Sequence, residues 1–199
     1  MNKTGDLFLS IIIYISWALL LFVSIFYIIN SDYISIAWLF ALFLMIFIYY
    51  RYKVSKGAYT VIVFMVVMHI LGSFFEFFTY YELYDKVLHF INPFLLCFFF
   101  YITLRQKAPN RKKRIIYSTL AVLFLILFWE FLEYLADNLY NLSSRGDFLY
   151  KITEDNTIKI VKVSDATTDT ILDIIAGIIG ILAFLTGIKF LSKNKNKKK

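Results

Sequence analysis

The sequence is short of the parts from which soluble enzymes and disulfide-stapled domains are built. It has one cysteine, Cys97, which excludes any internal disulfide. Set between Leu96 and Phe98, that thiol reads as a small core residue. Only 18% of the residues are charged, against about 25% in soluble domains. There is no Gly-rich phosphate loop, no Gly-x-Ser-x-Gly elbow and no His-Glu-x-x-His pair, so no nucleotide, acyl-transfer or zincin motif is present. No internal repeat occurs, and the only low-complexity segment is a Lys/Asn tail at 193–199.

What fills the chain instead is apolar. Hydrophobic residues make up 60% and aromatics 20%, with mean hydropathy +0.70. They fall into runs at 7–29, 34–50, 59–78, 87–104, 115–135 and 170–191. Each approaches the roughly 20 residues that a bilayer requires, the second being a little short. Backbone groups in lipid are satisfied only within helices or closed barrels, and these runs are helical in length. The expected fold is an all-α polytopic membrane bundle: one domain over 1–192, six transmembrane helices, and the Lys-rich tail. The first run is too long for a signal-peptide core and no small-x-small cleavage site follows it. The second ends in Tyr49-Tyr50-Arg51-Tyr52, an interfacial aromatic and basic belt.

Basic residues orient the expected spans. Sixteen of the 21 lysines and arginines fall at Lys3, in the loops 51–57 and 105–114, and in the last span and tail; five fall on the other side. The positive-inside rule then places both termini in the cytoplasm. The net charge of +7 is a topology signal, with no aromatic-basic surface for nucleic acid beside it. The tail suits contact with anionic lipid. Outside, the one long connection runs from 136 to 169. Alternation at 148–152 and 158–163 around Glu154-Asp155-Asn156-Thr157 predicts a small extracytoplasmic β-hairpin. An isolated hairpin is marginal, so it would pack on the helix ends as a lid; a plain surface loop is the alternative.

The ionisable residues converge on that outer side. The fourth run opens with Asp85, Lys86 and His89, and Asp85, His89 and Asn92 share one face by i, i+4, i+7 spacing. Pro93 then removes the hydrogen bond to the carbonyl of His89 and is expected to break the helix there. The third run is expected to end with Glu76, with Ser73 and His69 deeper on the same face. The fifth carries Glu130, Glu133 and Asp137, and the sixth opens with Asp169 and Asp173, with Asp165 one turn upstream. At 1.5 Å per residue, His89, Glu130 and Asp173 lie on the order of 5–10 Å inside the outer boundary. Four helices are thus expected to bring charged groups to one depth. So many carboxylates with so few cations require protons, a bound cation or water.

The residue types bear on the chemistry. Asp85-x-x-x-His89 supplies two metal ligands, or a carboxylate that orients an imidazole. Glu130-x-x-Glu133 is similar to the helix-borne carboxylate pairs of metal-binding bundles, without their Glu-x-x-His form. A mixed His and carboxylate set suits zinc, manganese or iron; carboxylates alone suit calcium or magnesium. The candidate ligands of a divalent metal are Asp85, His89, Glu130, Glu133, Asp169 and Asp173. The candidate catalytic groups are His89, Glu130 and Asp173. Ala176, Gly177 and Gly180, at i+3, i+4 and i+7 from Asp173, are suited to the close helix packing that would carry Asp173 inward. His69 reads as a core histidine.

The pattern Tyr84-Asp85-Lys86-x-x-His89-Phe90, Glu130-x-x-Glu133-Tyr134, and Asp165-x-x-x-Asp169-Thr170-x-x-Asp173 with Ala176-Gly177 resembles the YjdF-like family of small bacterial and archaeal inner-membrane proteins. More distantly it is similar to VanZ-like proteins, which are associated with resistance to lipid-anchored glycopeptide antibiotics. This chain has Gly177 where those carry Asn, and Glu133 where they tend to carry Gln, which favours the YjdF-like side. The resemblance implies the cytoplasmic (inner) membrane of a prokaryote.

Two functional classes follow. In one, the cluster serves a lipid or lipid-linked cell-envelope substrate, with a divalent metal held by Glu130, Glu133 or Asp173 and His89 as acid or base. In the other, it is a proton or cation site in a small transporter, ranked second because such sites usually lie near the midplane. A scaffold tied by buried acids ranks third, since many acids with few partners make poor glue. Catalytic and non-catalytic uses stay open at this point.

Overall fold

The computed structural model describes residues 3–30, 34–52, 54–81, 83–105, 107–108, 110–140, 148–152, 158–162 and 165–196. They form helices α1 (Lys3–Ile29), α2 (Ile34–Tyr52), α3 (Lys56–Phe74), α4 (Phe77–Tyr80), α5 (Tyr84–Thr103), α6 (Arg111–Tyr140) and α7 (Ala166–Asn196). Strands β1 (Phe148–Ile152) and β2 (Ile158–Lys162) lie between α6 and α7. Among these residues six helices are long, and α4 is a single turn of 4 residues. Five have the length and apolarity to cross a membrane: Leu7–Ile29, Lys56–Phe74, Tyr84–Thr103, Arg111–Leu135 and Ala166–Phe190. In α2 the apolar stretch Trp38–Arg51 is shorter. The protein is therefore an all-helical, multi-pass membrane protein with one small strand pair.

Polar caps set helix starts that the apolar runs do not show. Asn110 Oδ1 accepts from the N–H groups of Lys112 (2.9 Å) and Lys113 (3.3 Å), so α6 begins a turn before its apolar run. Asp165 Oδ1 accepts from the N–H groups of Thr167 and Thr168, each at 3.0 Å, and starts α7 early in the same way. Ser55 caps α3, accepting from Ala58 N–H at 3.4 Å.

Two expectations change here. The run 59–78 is not one helix: α3 stops at Phe74, and Glu76 takes a left-handed φ of 56° before α4 begins. That conformation costs a non-glycine residue roughly 1–2 kcal/mol. It is offset by Phe77 and Phe78, whose rings meet Tyr84 edge-on at 5.5 and 5.2 Å and fold α4 onto the start of α5. Glu76 is consequently exposed at the head of α4 and is not the end of α3. Conversely, Pro93 does not break its helix. α5 runs unbroken from Tyr84 to Thr103 with Pro93 buried inside it. A membrane helix tolerates the lost N–H bond because neighbouring helices keep it packed.

The chain forms two compact units, Met1–Phe75 and Glu76–Lys199. In the first, α1 packs on α2 and α3. The indole N–H of Trp17 donates to the buried Tyr59 hydroxyl at 2.8 Å, with Tyr49 edge-on to both rings. Buried Ser16 and Ser24 donate to carbonyls of their own helix, satisfying both hydroxyls.

In the second unit α5, α6 and α7 pack on one another, most extensively α5 on α7. Their core is Cys97, Val122, Ile126, Ile181, Phe184 and Ile188. Phe124, Phe128 and Phe131 of α6 are exposed, as expected of a face that meets lipid tails. A Cβ placed at Gly180 would collide with the carbonyl oxygen of Phe90 and stand 3.3 Å from Phe94 N. Gly180 thus lets α7 lie against the α5 backbone. β1 and β2 pair antiparallel from Phe148↔Lys162 to Ile152↔Ile158, and β1 runs beside α4. The turn residues 153–157 lie outside the described residues, as do Val163, the side chain of Asp137 and residues 197–199 of the tail. Residues up to Asn196 continue α7.

Candidate functional site

Three helices build the polar cluster. The first turns of α5 supply Asp85, Lys86 and His89. α6 supplies Glu130, five residues before the end of the span Arg111–Leu135, and α7 supplies Asp169 and Asp173, one turn apart on the face packed against α5. The close seat at Gly180, two turns below Asp173, holds that face inward. Burial is steep: the Asp173, Asp169 and Glu130 side chains are 1%, 5% and 6% exposed, while Asp85 is 26% exposed.

Lys86 is the hub. Its ammonium donates to Asp85 Oδ2 at 3.0 Å and to Asp169 Oδ1. It also lies 2.8 Å from Asp173 Oδ1, an ion pair without hydrogen-bond alignment, since that oxygen has no aligned donor. One cation therefore faces three aspartates. Buried ions of this kind persist only when paired, and the charge on the acids exceeds what Lys86 supplies.

His89 stands beside the hub with an acid on each ring edge. Its Nε2 is 3.5 Å from Asp85 Oδ1 and 3.9 Å from Asp173 Oδ1; its Nδ1 is 3.6 Å from Glu130 Oε1. These separations exceed the roughly 2.7–3.2 Å of a hydrogen bond. The two at Nε2 suit donor atoms around one ion: ligands bound at about 2.1 Å in a tetrahedron stand about 3.4 Å apart. Asp85, His89 and Asp173 each offer one ligand atom, all within 4.8 Å of one another. This largely buried Asp/His/Asp set can coordinate a divalent metal ion. Glu130 strengthens the case, because both its carboxylate oxygens are buried with no hydrogen-bond partner and one is aimed at His89.

The expected residues divide by what they touch. Asp85, His89 and Asp173 form the donor set. Asp169 turns to Lys86 rather than to His89, and Glu130 flanks the imidazole. Glu133 accepts a 2.6 Å bond from Trp129 Nε1, one turn back on its own helix. Within the second unit, charged groups of the described residues come together from three helices, and Glu76 sits exposed at the head of the short α4. Lys86 was the residue that spacing alone left out of the candidate set. Its signal was present as the one cation in a field of acids. Thr170, whose buried hydroxyl lacks a partner, gave no signal at all.

A family described as predicted membrane protein (DUF2238) matches residues 7–193, and the chain belongs to that family. No curated protein and no solved structure matches it.

Proposed function

We propose that, within this family of membrane proteins, the chain uses Asp85, His89 and Asp173 as a divalent-cation site in the extracytoplasmic half of the membrane, serving a lipid or lipid-linked cell-envelope substrate. One observation carries the reading: three donors from α5 and α7 stand within 4.8 Å of one another beside a buried Glu130 carboxylate that faces His89. The mixed imidazole and carboxylate set favours zinc, manganese or iron over calcium or magnesium. A divalent ion also adds positive charge beside the three aspartates that Lys86 faces.

Orientation is part of the proposal. With α2 counted as a span, six crossings put both termini on one side. At about 1.5 Å per residue its helix reaches about 28 Å, close to the roughly 30 Å hydrocarbon core. The sixteen-to-five division of basic residues supports a cytoplasmic side for those termini, with the acidic cluster opposite. The YjdF-like resemblance agrees with an inner membrane. A site at outer-leaflet depth, in a molecule with an apolar exterior, is placed for a substrate that stays in the membrane. His89 and Glu130 would then exchange a proton at Nδ1 while the Nε2 edge faces the cation site with Asp85 and Asp173.

Metal analysis of protein purified in detergent tests this, with wild type beside His89→Ala and Asp173→Asn. The expected result is about one zinc, manganese or iron per chain, lost in both variants. Wild type that stays metal-free after incubation with each ion, with variants that melt at the wild-type temperature, would overturn it.

A further inference from the structure

The far end of the same helices carries a feature of opposite charge. Tyr101 and Ile102 of α5, Arg105 just beyond it and Arg114 of α6 line a cleft of about 290 Å³. That is near the lower bound of roughly 300 Å³ for small-ligand sites. At about 1.5 Å per residue, it lies on the order of 20 Å along α5 and α6 from the acidic cluster, so the two cannot share a ligand. The Arg114 guanidinium stacks 4.9 Å over the Tyr101 ring, while its Nε is buried with no hydrogen-bond partner. The ring thus presents a planar fork whose inner N–H is unused. Arg105 is exposed at the mouth, beyond the end of the span Tyr84–Thr103.

We propose that this cleft binds a phosphate group. The guanidinium fork, held flat by the Tyr101 ring, matches phosphate geometry, and Arg105 adds a second cation to the same cleft. Among the described residues no carboxylate lines the cleft. Its depth, at the ends of two spans, is where phospholipid phosphates lie, and basic pockets between membrane helices are suited to such headgroups. A free phosphate ion has the same chemistry, and the experiment separates the two sources.

Native mass spectrometry of the detergent-purified chain, titrated with phosphatidylglycerol, phosphatidylcholine or inorganic phosphate, provides the test. The Arg105→Gln/Arg114→Gln variant is expected to lose about tenfold in affinity for the phosphate-bearing ligand, one charge-assisted contact's worth. Lys112→Gln/Lys113→Gln removes equal charge from exposed neighbours outside the cleft and should change affinity less than about twofold. Arg105→Lys/Arg114→Lys keeps the charge but loses the fork, and should fall several-fold, so a misfolded glutamine variant does not end the test. Preference for phosphatidylglycerol without competition by inorganic phosphate identifies a headgroup; competition identifies the free ion. Equal losses in the cleft and control variants, or no saturable binding to wild type, would sink the proposal.

Discussion

Lys86 and Asp173 form a buried ion pair across the α5–α7 contact, with Nζ 2.8 Å from Oδ1 and the Asp173 side chain 1% exposed. Removing the cation strands three aspartates. Lys86→Met is expected to destabilise the apo protein by about 3–5 kcal/mol. The same change removes the ion that competes for Asp173, so divalent-metal affinity should rise. Thermal unfolding with and without added zinc or manganese checks both: a low apo melting temperature, recovered by metal more strongly than in wild type. A variant that metal does not rescue would count against the donor set.

Glu130 should separate stability from function. Its oxygens are buried without a hydrogen bond, Oε1 facing the His89 ring, so replacing the carboxylate by an amide removes a buried charge and breaks no hydrogen bond. Glu130→Gln is expected to leave the fold within about 1 kcal/mol of wild type, or to stabilise it, while weakening the metal site through His89. A melting curve paired with a metal-binding isotherm reads the two effects. A large loss of stability would mean that the carboxylate is tied by a bond of its own.

The glycines of α7 predict a contrast within one helix. Gly180→Ala drives a methyl into the Phe90 carbonyl and is expected to cost about 1–3 kcal/mol. Gly187→Ala meets nothing within 4 Å and should stabilise the helix by up to about 1 kcal/mol. Unfolding in detergent compares them directly. Similar effects from both would show that helix propensity, not the α5 contact, governs this seam.

Asp165 predicts an acid-side effect outside the span. The Thr168 N–H and hydroxyl, then the Thr167 N–H, hold its carboxyl below the usual aspartate value of 3.8. A folded-state value below the unfolded one gives stability that is present above about pH 4 and lost as pH falls through the folded value. Protection of the Thr167 and Thr168 amides, taken as their exchange rate relative to the intrinsic rate at the same pH, should therefore fall below that pH in wild type. In Asp165→Ala it should be low at every pH. Protection in wild type that does not change across that range would refute the cap.

Which parts were legible in the sequence follows from the physics of each. Apolar length gave the long helices, because lipid imposes it segment by segment. Helix starts at Arg111 and Ala166 were missed because Asn110 and Asp165 act through single side-chain bonds that hydropathy does not register. The break at Glu76 was hidden for a different reason: no glycine or proline marks it, and the aromatic contacts to Tyr84 that offset it lie across a turn. In the site, the spacing of Asp85 and His89 and of Asp169 and Asp173 was readable on single helices. That Lys86 gathers three aspartates, and that Asp169 turns to it, depends on how α5 meets α7.

The seat of Gly180 on the Phe90 carbonyl acts as a gauge for the metal donors. Asp173 and Gly180 ride on one rigid rod, about 10 Å apart at 1.5 Å per residue. Its stop sits one residue beyond His89 on the opposing rod. Any slip of α7 that lifts Gly180 from its stop shifts the carboxylate by the same distance relative to the imidazole. The spacing of the Asp85, His89 and Asp173 donors is thus set by a contact outside them, and one added methyl there would change that spacing.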